Sequence, residues 1–204
     1  SAANATGDSQ TPLLVSVHSI DESFHRHVAA NYWAWRAVFE NDHNARISQH
    51  PEFVLTELSF SREALHHPPT LITCQERGKT VGAAVLVPKS IGGEKKFGPA
   101  WNLKGYRLAG NRLIGNSDAR IQNHLLEGIS KHLANTKADF LLAEDVEAND
   151  PLLELVNGGS HELQIFKPVP FQSRHLIDLP ETHDEYWSKF HSKTRGKIRR
   201  KTKL

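Results

Sequence analysis

The chain has 204 residues, of which 38% are hydrophobic and 24% charged, so it has the composition of an ordinary globular protein with room for one large or two small domains. Its formal net charge of +2 is uneven: residues 193–204 carry seven basic side chains, which leaves 18 of the 25 basic residues against all 23 acidic ones, a net −5, in residues 1–192. This distribution argues against a uniformly basic nucleic-acid-binding domain.

The first part of the chain predicts one strand and then helices. A short apolar run behind a proline, residues 12–18, predicts the strand. Residues 19–41 predict one or two helices, with Asp21 or Ser19 as the cap. The apolar residues at helical spacing in this segment are Phe24, Val28, Trp35, Val38 and Phe39. Pro51 opens a further helix over residues 50–60, whose apolar face is predicted to hold Phe53, Val54 and Leu58.

The hydrophobic period then changes. Residues 70–90 predict two strands joined at "ERGKT", which is a hairpin signal, and residues 91–115 contain short strand-like pieces between glycines. Residues 117–136 predict the clearest helix, capped by Ser117 or Asp118. Its apolar stripe consists of Ile121, Leu125, Leu126, Ile129 and Leu133. A buried strand over 137–146 and a short helix over 149–159 follow.

The end of the chain predicts two more strands over residues 162–180 and an amphipathic helix from residue 181, acidic in its first turn. The whole order predicts a mixed α/β fold, in which a central mixed sheet with an antiparallel start and a parallel crossover near 111–146 is flanked by helices. We expect residues 1–11 to be a disordered lead or expression remnant, residues 12–180 to form the domain, and residues 181–204 to form a helical linker.

Compartment and metal content follow from residue usage. A single cysteine, Cys74, permits no internal disulfide and fits a buried strand position in a cytoplasmic protein. No apolar run is long enough for a membrane span, and no signal peptide is recognisable. The 13 histidines lack the spacing of metal ligands, so no metal site is predicted.

Two segments offer candidate site residues. Carboxylates follow the predicted strand 137–146, and Asp145 is the best single catalytic candidate because sites in α/β sheets lie at the carboxyl ends of strands. A solvated, helix-capping acidic loop explains these carboxylates equally well. "GGEKKFG" (92–98) fits a mobile hairpin loop better than a phosphate site.

Several strings resemble one family. "WRAVFENDHNARISQHPEFVLTEL", "ERGKTVGAAVLVP" and "ADFLLAEDVEANDPLLELV" are similar to segments of GNAT-type acyltransferases of the cellulose-biosynthesis (CelD-like) and FemAB-like group. "HLIDLPETHDEYWSKFHSKTRGKIRRKTKL" is the most specific match, and the resemblance covers most of residues 12–204. Proteins of that group are often built from two GNAT-like halves. The resemblance implies a GNAT-like fold and transfer of an acyl group from acetyl-CoA, another acyl-CoA or an aminoacyl-tRNA to an amine.

The resemblance also locates a cofactor loop, which is degenerate here. The family places an Arg/Gln-x-x-Gly-x-Gly/Ala loop before the main helix so that bare amides face the cofactor phosphates. The matching segment, residues 111–125, keeps only Gly115, and Asp118 stands where the anion would lie. Arg112 and Arg120 are not expected to compensate. We therefore predict that this segment binds no cofactor in the usual way.

These observations lead to three hypotheses. The first is the N-terminal, cofactor-free half of an acyl-CoA-dependent N-acyltransferase, acting on a small-molecule amine and partnered by a missing C-terminal GNAT half. The second is a non-enzymatic binding module whose basic end binds nucleic acid or another polyanion. The third is a self-sufficient N-acetyltransferase with an unusual phosphate loop. The residues predicted to contact a substrate or polyanion are Arg195, Lys197, Arg199 and Arg200.

Overall fold

The computed structural model describes residues 12–60, 67–92, 102–115, 117–144, 146, 151–158 and 182–201, and the chain divides into two compact units, residues 1–166 and 167–204. The described strands are β1 (Leu13–Ser19), β2 (Thr70–Glu76), β3 (Lys79–Gly92), β4 (Asn102–Leu108), β5 (Ile114–Gly115) and β6 (Leu141–Leu142). The described helices of the first unit are α1 (Glu22–His25), α2 (Ala30–Asn41), α3 (Pro51–Phe60), α4 (Ala119–Thr136) and α5 (Pro151–Gly158). Those of the second unit are α6 (His183–Ser188) and α7 (Ser192–Lys201).

The strands form one mixed sheet in the order β1-β2-β3-β4-β6, with β5 paired to β3. The first four strands are antiparallel neighbours, whereas β4 and β6 run parallel because α4 carries the chain back between them. This arrangement confirms the predicted α/β class, its antiparallel start and its parallel crossover.

The sheet has helices on both faces, as alternate residues of its strands show. Leu71 and Val85 belong to one core cluster with Phe24, Trp35 and Val54 of α1, α2 and α3. Their strand neighbours belong to the other cluster and pack with α4 and α5: Ile72, Ala84 and Leu86 with Ile121, Leu125, Ile129 and Leu152. Successive side chains of a strand point to opposite faces, so α1–α3 cover one face and α4–α5 the other.

Local signals that involve a turn or a cap are confirmed. Arg77 and Gly78 both have positive φ, 52° and 76°, as the two central residues of a type I′ hairpin turn require. Asp21 caps α1 by accepting the Ser23 amide at 2.8 Å, and Asp118 caps α4 by accepting the Arg120 amide at 2.8 Å. Cys74 is a fully buried free thiol in β2, which confirms its predicted strand position.

Two predictions of burial are wrong. Val28 is 70% exposed, because α1 ends at His25 and His27 adopts a φ of 54°, which breaks the helical phase. Phe53 is 47% exposed, because the buried stripe of α3 runs through Val54, Leu55 and Leu58 and leaves Phe53 beside it.

The predicted strand 137–146 is shorter and less buried than its sequence indicated. Among the described residues of this segment, only Leu141 and Leu142 are in register with β4, and both are half-buried. Asp139 precedes them in an irregular stretch, where its amide donates to the Lys104 carbonyl and its carboxylate accepts the Lys104 amide. The strands predicted over residues 162–180 lie outside the described residues.

Two negative findings apply to the described ranges only. No three His, Cys, Asp or Glu side chains there cluster in a way that would hold a metal ion. Within the same ranges, no helix combines the length and apolarity needed to cross a bilayer.

Two half-buried histidines predict that acid destabilises the fold. Burial lowers the pKa of His18, whose Nδ1 accepts the Asn31 side-chain amide at 3.0 Å. Burial, and then His67, lower the pKa of His132, which lies 3.2 Å from the Tyr106 hydroxyl. Both groups bind fewer protons when folded than when unfolded, so stability is present above their unfolded pKa of about 6.5 and is lost as the pH falls below it.

We therefore expect the free energy of unfolding to fall between pH 7.5 and pH 5.5, by at most about 1.4 kcal/mol per pH unit for each histidine. Urea unfolding at several pH values measures this slope. In His18→Gln/His132→Gln, two neutral side chains replace the titrating pair, and the slope should become shallower. An unchanged slope in that double variant would assign the acid sensitivity to other groups.

Candidate active site

The parallel strands β4 and β6 part at their carboxyl ends. Tyr106 and Arg107 are in register with Leu141 and Leu142, and the chain then leaves the ladder in a 3₁₀ turn, Ala109–Asn111. We call the region formed by residues 105–111 and 140–144 the β4–β6 seam. The carboxyl ends of neighbouring strands are the usual place for ligand sites in α/β sheets, so the seam is the candidate site.

The 3₁₀ turn gives the seam its shape. Gly110 and Asn111 both adopt positive φ, 64° and 61°, which turns β4 away from β6. The Oδ1 of Asn111 accepts the backbone amide of Glu144 at 3.0 Å. The turn that follows β4 is therefore linked to the segment that follows β6 by one side-chain hydrogen bond.

A half-buried ion pair lies on the α3 side of the seam. The Arg107 guanidinium donates to Glu57 Oε1 at 2.5 Å, and the Arg107 and Glu57 side chains are 18% and 37% exposed. The second carboxylate oxygen, Glu57 Oε2, is buried and has no hydrogen-bond partner. A buried acceptor without a donor is uncommon in folded proteins, so this oxygen is a chemically notable feature of the seam.

The start of α4, where the resemblance places cofactor phosphates, is taken up by the protein's own carboxylates. Asp118 accepts the Arg120 amide in the first turn. Asp42, from the end of α2, accepts the Gly115 amide at 2.9 Å through Oδ2 and the Asn44 amide at 2.9 Å through Oδ1. Asp118 places negative charge at the positive end of α4, where an anionic ligand would otherwise bind, and Asp42 occupies the amide of Gly115 in the segment that leads to it.

The two arginines near this helix start also contact acceptors of the chain itself. The Arg120 guanidinium donates to Glu76 Oε1 at 2.8 Å, and the Arg112 guanidinium donates to the Asn44 carbonyl at 3.0 Å. To bind a phosphate, Arg120 would have to share or release its carboxylate partner, and Arg112 its carbonyl partner.

A groove of about 490 Å³ with a mixed polar and apolar lining lies beside the segment that leads to α4. Its walls include Asp42, Asn44, Lys79, Thr80, Gly115 and Ser117. The volume is within the range of small-molecule sites, but both signs of charge are present, so the groove does not by itself select an anion.

The predicted basic contact residues lie on α7, in the second unit. Helical spacing places Lys197 and Arg200 on one side of α7 and Arg195 on the other. Lys197 and Arg200 are exposed, whereas Arg195 is half-buried. The contact of these residues with a substrate or polyanion stays a prediction.

The predicted catalytic candidate, Asp145, lies outside the described residues, so its role stays a prediction. Glu144 next to it is exposed, and its backbone amide is bound to Asn111. Sequence reasoning missed Glu57, Asp42 and Asn111. Only Asn111 carried a signal, because Gly-Asn is a turn dipeptide.

Comparisons with known proteins give weak likenesses. No protein-family model matches the chain, and no curated protein matches it. One similar solved structure is an aminoglycoside acetyltransferase from an uncultured soil metagenomic sample in complex with sisomicin, with 12% identity, 83% of this chain and 97% of that chain covered, and a TM-score of 0.42.

Two further solved structures are similar to the same degree. One is glucosamine-6-phosphate N-acetyltransferase from Arabidopsis thaliana (10% identity, 76% of this chain, 97% of that chain, TM-score 0.43). The other is a GNAT family acetyltransferase from Staphylococcus aureus (9% identity, 80% of this chain, 98% of that chain, TM-score 0.39). With identities of 12% or less and TM-scores of 0.43 or less, these likenesses assign neither a family nor an activity to the chain.

Proposed function

We propose that this chain is the N-terminal, cofactor-free half of an acyl-CoA-dependent N-acyltransferase that acts on a small-molecule amine. The observation that carries the proposal is the occupied helix start. The chain has the sheet order and parallel crossover that the resemblance implies, yet Asp118 and Asp42 bind the amides that would face cofactor phosphates. A half that retains the fold and fills this position with carboxylates is suited to hold the acceptor, while the C-terminal half holds the acyl donor.

The chemistry asked of this half is modest. Acyl transfer to an amine needs the amine to be placed, to lose a proton, and to be kept near strand amides that can stabilise an oxyanion. The β4–β6 seam supplies the carboxyl ends of two parallel strands and a carboxylate, Glu57, that is paired with Arg107 of β4. Acetyl-CoA or another acyl-CoA would supply the activated acyl group when bound by the second half.

The proposal predicts that this chain alone does not bind acetyl-CoA. Calorimetric titration at low ionic strength should give no measurable heat of binding in the micromolar range, because the phosphates would meet two carboxylates at the helix start. Micromolar binding would contradict the cofactor-free assignment and favour a self-sufficient N-acetyltransferase.

A matched variant sharpens this test. Asp118→Ser keeps a good N-cap but removes the charge, so α4 should keep its start while the repulsion falls. We expect anion affinity to rise in Asp118→Ser/Asp42→Asn relative to the wild type. If both proteins bind equally weakly, the carboxylates are not what prevents phosphate binding.

The charge of α7 supports a second candidate function, a binding module for polyanions. Lys193, Lys197 and Arg200 are exposed, and helical spacing places all three on one side of the helix. Titration of a short DNA duplex at low and moderate salt tests this candidate, since phosphate contacts would make the affinity fall steeply with salt. Absence of binding at low salt removes it.

A further inference from the structure

We propose that Glu57 is the anchor for the amine acceptor, and that it binds this ligand in its cationic form by accepting an ammonium N–H at Oε2. The identification of this ligand as the acceptor rests on the proposed function. The site itself is defined by the ion pair of Glu57 with Arg107 and by the unpartnered oxygen.

Only Oε1 of Glu57 receives the guanidinium hydrogen bond, so the ion pair leaves Oε2 buried without a donor. Leaving a buried charged acceptor unsatisfied is unfavourable, whereas a hydrogen bond from a charged donor is among the stronger ones in proteins. A ligand that brings its own N–H group to Oε2 would supply the missing donor.

Arg107 is in register with Leu142, the last paired residue of β6, and is followed after Leu108 by the turn that opens the seam. Because Glu57 is bound to Arg107, its carboxylate is fixed beside the place where β4 and β6 begin to part. A nitrogen held there would lie next to the strand ends rather than on the outer surface of α3.

Arg107 neutralises Glu57 formally, so a cation is not attracted by a bare negative charge at this point. With Arg107 on Oε1 and an ammonium on Oε2, both oxygens of the carboxylate would accept hydrogen bonds from cationic donors. A neutral hydroxyl would be a weaker donor to Oε2.

The test uses the full chain, labelled with ¹⁵N, and butylammonium chloride as the probe. We expect amide shifts that saturate in the millimolar range and are centred on Arg107, Leu108 and Leu142. Butanol, which has no charge, and tetramethylammonium, which has no N–H donor, should each bind at least about tenfold more weakly at this place. These comparisons need no variant, so they stay decisive if a substitution unfolds the chain.

The variant Glu57→Gln keeps the shape and an acceptor for Arg107 but removes the charge, and it should weaken butylammonium binding about tenfold. Glu40→Gln is the matched control, because Glu40 also pairs with an arginine, Arg36, at 2.8 Å but on the exposed surface of α2. It should leave binding unchanged. Equal binding of butylammonium and tetramethylammonium, or full affinity in a folded Glu57→Gln protein, would overturn the inference.

The outcomes separate this inference from the proposed function. The titration contains no acyl donor and therefore measures binding at Glu57 alone. If butylammonium binds there but no acyl transfer occurs when acyl-CoA and the second half are added, only the proposed function is removed. Acyl transfer whose KM for the amine is the same in wild type and Glu57→Gln would remove only the anchor.

Discussion

Replacing Gly110 by alanine will lower the free energy of unfolding by about 3 kcal/mol. Gly110 has a φ of 64°, which is strained for alanine, and an added Cβ would lie 2.5 Å from Cδ of Gln49. Gln49 cannot move aside without loss, because it is 1% exposed, donates to the Arg112 carbonyl and accepts the Arg46 amide. Urea unfolding of the wild type and Gly110→Ala measures the difference.

Gly78→Ala is the matched control for this prediction. Gly78 has a similar φ of 76°, but no heavy atom lies within 4 Å of the place where its Cβ would be. The free energy of unfolding of Gly78→Ala should therefore fall only by the cost of the backbone strain, about 1 kcal/mol. If Gly78→Ala and Gly110→Ala are equally destabilised, the close packing of Gln49 under the turn does not contribute, and the shape of the seam does not depend on it.

The fold was predictable where the chemistry is local. The Arg77-Gly78 turn, the Asp118 cap and the apolar stripe of α4 each depend on residues within a few positions of one another. The parallel crossover was also predictable, because a long helix between two strands leaves few other connections.

The candidate site was not predictable because its contacts join distant parts of the chain. Glu57 reaches Arg107 across 50 residues, and Asp42 reaches Gly115 across 73 residues. In the sequence, Glu57 is one more acidic residue on a helix, and no local pattern distinguishes it from Glu52, whose carboxylate instead accepts the Tyr32 hydroxyl. Its significance arises only when α3 packs on the sheet beside β4.

Burial was predicted less well than helix position for a related reason. The helix of Phe53 was identified, but its rotation is set by which stripe meets the sheet, and Val54, Leu55 and Leu58 are buried in preference. The length of β6 depends on its partner, since β4 leaves the ladder after Leu108 and ends the pairing. Neither the rotation of α3 nor the length of β6 can be read from the residues of that element alone.

Gly105→Ala should be the more damaging of two strand substitutions, with a loss of about 4 kcal/mol. An added Cβ at Gly105 would overlap the Phe140 carbonyl oxygen and lie 3.0 Å from the Phe140 ring. That carbonyl accepts the Tyr106 amide at 3.1 Å, so backbone must move and the pairing of β4 with β6 is weakened. Urea unfolding, with hydrogen exchange of the Tyr106 amide, measures both effects.

Gly82→Ala is the comparison that decides the cause. A Cβ at Gly82 would meet two side-chain methyl groups, Ile121 Cγ2 at 2.9 Å and Leu125 Cδ1 at 3.1 Å, and side chains can shift at lower cost than a backbone carbonyl. The free energy of unfolding should fall by about 2 kcal/mol less in Gly82→Ala than in Gly105→Ala, and the Tyr106 amide should stay protected from exchange. Because Glu144 follows β6 and is bound to Asn111, loosening of β6 in Gly105→Ala should also disturb the seam. Amine binding there should therefore weaken in Gly105→Ala but not in Gly82→Ala, which links the packing of one glycine to the geometry of the proposed acceptor site.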